Sequence, residues 1–221
     1  MGSLTGGNHV NASDPLPAEL FARVDDGDDA AFYTTPRLVA HIDDATIAAL
    51  THYYAEVLPP GGRVLDLMSS WISHLPPTDL GRVAGLGMNR AELGANPRLD
   101  DRVVHDLNRS PRMPFETAAF DAVLIAVSVQ YLVRPVEVFR DIARVLAPHG
   151  RLVVAMSHRC FPTKAVRAFH MLSPGDRVRL VGSYVALAGG FSDPLFVDRS
   201  PAGADPLWIV TATRAAEENF E

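Results

Sequence analysis

The chain has one cysteine, Cys160, in 221 residues, which excludes an internal disulfide framework and fits a reducing, cytoplasmic setting. It has no long hydrophobic run. The most apolar stretch, Ala122 to Val129, is far shorter than the ~20 residues that cross a bilayer, so no membrane partner is expected. An excess of basic charge is also missing: the net charge is −6 and the pI about 5.7, the wrong sign for a surface that displaces counterions from nucleic acid. The eight histidines, among them His41, His52, His74, His105, His149 and His158, form no HxxxH pair, and no second cysteine could join them. No metal site is therefore expected. The opening MGSLTGGNHVNASDP has neither the basic nor the apolar region of a secretory leader. Small-molecule chemistry remains.

With 48% hydrophobic residues the length suits one domain with its own core. Residues 1–14, rich in Gly, Ser and Asn, are expected to be disordered. Residues 15–221 read as a single domain, with an N-terminal helical lid over 15–58 and an α/β core over 62–221. The acidic run DDGDD (25–29) reads as a solvated loop. A helix capped by Thr34 or Thr35 is expected from Pro36, with Leu38, Ile42, Ala45, Ile47, Ala49 and Leu50 at helical spacing toward Tyr54.

From Arg63 onward short apolar runs alternate with loops or helices: RVLDL (63–67), RVAGL (82–86), RVVHDL (102–107), FDAVLIAVS (120–128) and GRLVVAMS (150–157). Starts 20 to 30 residues apart leave room for the crossovers that parallel strands need. Runs with no polar face imply helices on both sides of the sheet. Val136 to Leu146 is the clearest covering helix; FPTKAVRAFHML and the segment ending at LAGGF read as further helices, although LVGSYVAL could be a strand. Leu195 to Asp198 and Leu207 to Thr213 read as a final antiparallel pair. The fold class is α/β: a doubly wound, seven-stranded, mostly parallel sheet with an antiparallel C-terminal strand.

Ligands of such sheets bind outside the carboxyl ends of the strands. The segments there are Asp66 to Trp71, Gly87 to Asn89, Asp106 to Asn108, Ala126 to Tyr131 and Ser157 to Arg159. In order, RVLDL, VAGLGMNRAEL, DLNRSPRMPFETAAFDAV, SVQYLVRP and RVLAPHGRLVV resemble the class I S-adenosylmethionine (SAM) dependent methyltransferases of the small-molecule, type 11-like kind, which have a Rossmann-like sheet. The resemblance spans Gly62 to Val154. It implies SAM as cofactor and a small-molecule methyl acceptor as substrate.

Residue by residue, the resemblance makes Asp66 the acid of the donor loop, with Met68, Ser70 and Ile72 where glycines are usual. Met68, Ser69 and Ser70 would supply amides and hydroxyls instead. Gly87 aligns with the acid that bonds the ribose hydroxyls, so that contact is missing, and Asn89 could replace it. Asp106 matches the acid that meets the adenine amino group, with the Leu107 amide for a ring nitrogen. Met88, Asn108 and Val127 complete the expected cofactor contacts; Tyr33 and Arg37 come from the lid, where Arg37 could pair with the SAM carboxylate or simply lie at the surface. Trp71 reads equally as a core plug or a cover. If the acceptor needs a base, the order to test is His158, His74, Tyr131. A methyltransferase-like protein without methyl transfer is the alternative, motivated by the missing glycines. A nicotinamide dehydrogenase is disfavoured, since GxGxxG is absent.

Overall fold

The buried strand runs determine the architecture. In the computed structural model, which describes residues 16–216, five of them lie side by side as parallel strands; the N-terminal 1–14 segment falls outside the described residues. A 3-10 turn (Ala18–Phe21), α1 (Asp29–Phe32) and α2 (Asp44–Val57) precede β1 (Arg63–Leu67). Then follow β2 (Arg82–Gly87), α3 (Arg90–Ala95), β3 (Asp101–Val104), β4 (Phe120–Ala126), α4 (Pro135–Val145), β5 (Leu146–Met156), α5 (Arg167–Met171), α6 (Pro174–Ala188), β6 (Leu195–Asp198) and β7 (Trp208–Thr213).

The seven strands are ordered β3-β2-β1-β4-β5-β7-β6. Strands β1 to β5 pair in parallel, and β7 runs antiparallel to both β5 and β6. The order reverses between β1 and β4, which opens a crevice at their carboxyl ends.

Alternate residues of each strand feed two cores. Leu50, Tyr53 and Tyr54 of α2 and Leu93 of α3 pack on Val64, Val83 and Leu124 of one face. Phe139 and Ile142 of α4 and Val181 and Tyr184 of α6 pack on Leu65, Val123 and Val154 of the other. Helix α6 ends at Gly189, whose φ of +71° suits a residue without Cβ, so LVGSYVAL is helix and not strand.

Local departures from expectation have local causes. Helix α2 begins at Asp44, because the Asp43 carboxylate accepts the Thr46 amide as N-cap. Residues 36–42 form no helix and lie across the strand ends; Thr34 is no cap, its hydroxyl donating back to the Ala30 carbonyl. Strand β3 stops at Val104, leaving Asp106 in a turn. The crossover from β1 to β2 contains no helix at all, consistent with Pro76 and Pro77 inside it. Only Arg167–Met171 of the predicted helix after Cys160 is helical.

Candidate functional site

The ends of β1, β2, β3 and β4 line one cavity, and the N-terminal segment 29–41, the strap, lines another of its sides. It is lined by Asp66, Met68, Ser69 and Ser70 after β1, by Gly87, Met88 and Asn89 after β2, and by Asp106, Leu107 and Asn108 after β3. Val127 and Tyr131 after β4, Tyr33 and Arg37 from the strap, and His74 from the crossover complete the set of predicted residues found there. His158 is not brought in: half exposed, it places Nε2 3.3 Å from Asp205 Oδ1 outside the lining. Asp29, His41, Glu92 and Phe161 also line the cavity and were not expected there, and Ser128, inside the strand-end segment Ala126 to Tyr131, joins them.

Among the described residues five non-glycine residues have positive φ, and three of them, Met68 (60°), His74 (52°) and Val127 (49°), line this cavity. Strained backbone concentrates where a function holds it. Met68 occupies a left-handed conformation at a position where the resembling family places glycine, so the turn survives with a side chain that tolerates it poorly.

Asp66 is fully buried at the end of β1, and its Oδ2 accepts the hydroxyls of Ser69 (2.5 Å) and Ser73 (2.7 Å). Burial pushes its pKa up to about 6, partly opposed by those two donors. The loop then turns against β2: Ser69 donates its amide to the Leu86 carbonyl, and its own carbonyl oxygen stands 2.1 Å from the Cβ position of Gly87. No side chain fits at Gly87 without moving that loop.

Asn89 is engaged elsewhere than at a ligand. Its Oδ1 accepts the Ala91 and Glu92 amides as the cap of α3, and its Nδ2 donates to the carbonyls of Tyr33 (2.8 Å) and Thr34 (3.1 Å). Glu92 continues this clamp, accepting the Ser70 hydroxyl (2.6 Å) and the Arg37 amide (2.7 Å). Asn108 does the same beyond β3, donating to Asp29 and to the Tyr131 carbonyl and accepting from Val133. Asp106 holds its turn through the Asn108 and Arg109 amides, both on Oδ1.

The DDGDD run is no solvated loop throughout. Asp29 is buried, bridged by both Arg23 and Lys164, the only lysine in the chain. Burial would raise its pKa, but the hydrogen bonds of Asn108, Arg23 and Lys164 prevail and hold it below the usual value.

Among the candidate bases, His74 is held neutral: burial, aided by nearby His41, lowers its pKa to about 4, and its buried Nδ1 has no hydrogen-bond partner. Burial lowers His41 likewise. Burial pushes Tyr131 up to about 12, and its hydroxyl accepts the Phe161 amide (2.8 Å). Ser128 Oγ is a second buried polar atom on the cavity without a partner. Trp71 neither plugs the core nor swings free; its Nε1 donates to the Val39 carbonyl, joining crossover to strap.

This architecture is shared with solved structures. The crystal structure of the (4+2)-cyclase SpnF aligns with a TM-score of 0.59 and 19% identity over 85% of this chain and 91% of that one. A SAM-dependent methyltransferase from Mesorhizobium loti aligns with a TM-score of 0.54 and 14% identity over 75% and 98%. Geranyl diphosphate C-methyltransferase from Streptomyces coelicolor A3(2), solved with S-adenosylhomocysteine (SAH), gives 0.50 and 15% over 76% and 77%. The fold is that of the class I SAM-dependent methyltransferases. More narrowly, residues 75–154 match the family described as a methyltransferase domain, a span that begins just past the glycine-poor loop. No curated protein matches the chain in sequence.

Proposed function

We propose that this protein binds SAM at the ends of β1, β2 and β3 and transfers its methyl group to a small-molecule acceptor held under the strap, in the cytoplasm. The observation that carries the reading is the cavity that gathers Asp66, Asp106, Leu107, Ser128 and His74 at the point where the strand order reverses.

These residues fit the adenosine part of the cofactor. Asp106, with Oδ1 fixed by its own turn, and the Leu107 amide would take the adenine edge. Ser69, Ser70 and Asp66 would face the methionine part. No acid fits at Gly87, and Asn89 is committed to the strap, so the ribose hydroxyls have no acceptor at the family's position. SAM, when bound, supplies the methyl group on a sulfonium whose charge is lost on transfer. The chain itself mainly orients the acceptor and excludes water, with Tyr33, Arg37 and Trp71 forming the cover. Where a proton must leave, His74, which lines the cavity, is better placed than His158, which does not.

Calorimetry with SAM and SAH tests this reading: one site per chain is expected, and absence of heat with either ligand would overturn it. A second reading, binding without methyl transfer, is favoured by the blocked Gly87 position and the strained Met68. SAM binding without turnover across an acceptor panel would select it.

A further inference from the structure

The charged groups lining the cavity differ in how they are held. Asp29 pairs with the cations Arg23 and Lys164, whereas Asp66, Glu92 and Asp106 accept from neutral hydroxyls and amides. Arg37 is the only Arg or Lys lining the cavity, and among the described residues no carboxylate pairs with its guanidinium. Its only acceptors are the carbonyls of Phe32 (3.0 Å) and Thr35 (3.4 Å).

The cation is framed by rings. Its Cζ lies 4.3 Å from the centroid of Phe32 and 5.4 Å from that of Phe161. Phe161 in turn stacks on Tyr131 (5.8 Å, 28°) and meets His41 edge-on at 5.0 Å. Phe161 follows β5 and Tyr131 follows β4, while Arg37 is anchored through its amide to Glu92 of α3, so the box closes the cavity across the strand ends. Flat walls select flat ligands, and an unpaired planar guanidinium selects a planar anion.

We propose that this box receives an aromatic carboxylic acid as the methyl acceptor, its ring against Phe161 and Tyr131 and its carboxylate on Arg37. The inference rests on the methyltransferase reading. It narrows the substrate class to aromatic acids, and leaves apolar alcohols and amines without an anionic group as poor ligands. The carboxylate chemistry has a second source, the methionine end of SAM, and the experiment separates the two.

Benzoate, cinnamate and indole-3-acetate are titrated against their neutral amides, with and without SAH, using wild type and Arg37→Gln. Binding of at least one acid about tenfold tighter than its amide is expected, since a charge-assisted pair contributes roughly 1.5–3 kcal/mol. Arg37→Gln should bring that pair to within about twofold, while the affinity ratio of SAH to 5′-methylthioadenosine, which lacks the carboxylate, stays unchanged. Equal binding of acids and amides to wild type, or no binding of any acid, overturns the proposal whatever the variant does. A loss confined to SAH overturns it too, and assigns Arg37 to the cofactor. Failure of SAH to bind wild type strikes the methyltransferase reading instead, while the acid-to-amide ratio without SAH still decides the box.

Discussion

The carbonyl oxygen of Ser69 lies 2.1 Å from where a Cβ on Gly87 would stand. The loop after β1 and the end of β2 are therefore matched: the loop runs through the space that a side chain at Gly87 would need. Gly87→Asp is expected to force the loop aside, destabilising the protein by about 1–3 kcal/mol and weakening SAH binding. Thermal unfolding and calorimetry check this. Tighter SAH binding in the variant would show that the acid was merely absent and not excluded.

Met68 holds φ at +60° while its side chain packs against the core beside β1. Met68→Gly relieves roughly 1 kcal/mol of backbone strain and gives up a similar amount of packing, so stability should change little. Met68→Ile keeps the apolar surface but places a β-branched residue in the left-handed region, and should lose more than about 1 kcal/mol. Chemical denaturation of both variants compares them; an isoleucine variant as stable as the glycine variant would contradict the strain.

How much of this was legible beforehand follows from the kind of signal each residue carried. RVLDL, RVAGL and FDAVLIAVS read as strands because runs buried on both faces admit few alternatives, and their ends then located Asp66, Gly87 and Val127. Asp29 was hidden: DDGDD reads most simply as a solvated loop, and the partners that bury Asp29, namely Arg23, Asn108 and Lys164, are far apart in sequence. Phe161 and His41 were invisible for the same reason, since their ring contact joins segments 120 residues apart. The helix is expected from Pro36 because Pro36 gives a helix-start signal as good as Asp43 does, whereas residues 36–42 are held by the Arg37 amide on Glu92, the Trp71 indole on the Val39 carbonyl and Ile42 in the core.

Asp66 should govern a pH dependence of stability. Its folded pKa of about 6 lies above the ordinary 3.8, so the stability linked to its protonated form is complete below about pH 4 and is lost as pH rises through 6. The full change is about 3 kcal/mol. His74, whose pKa is lowered to about 4, contributes the opposite trend, stability rising between about pH 4 and 6.5. Asp66→Asn, which stays neutral, is therefore expected to remove the Asp66 fall and make urea unfolding show stability increasing with pH across about pH 4 to 7 more steeply than in wild type. A variant with the wild-type slope would assign the dependence elsewhere.

Asn89 ties the strap to α3 through its two donations to Tyr33 and Thr34. Asn89→Ser keeps an N-cap oxygen but removes both donors. Hydrogen exchange of the amides from Tyr33 to Arg37 should quicken by about tenfold, with α3 unaffected, since each such bond contributes roughly 1 kcal/mol. Unchanged exchange in the strap would mean that Trp71 and Glu92 hold it alone.

The most direct test of the account is a crystal structure of the protein soaked with SAH. The account predicts the purine at Asp106 and Leu107, the ribose without a carboxylate partner at Gly87, and the sulfur facing the ring box of Tyr131 and Phe161. A nucleoside bound anywhere else, or density confined to the box with the strand ends empty, would contradict it.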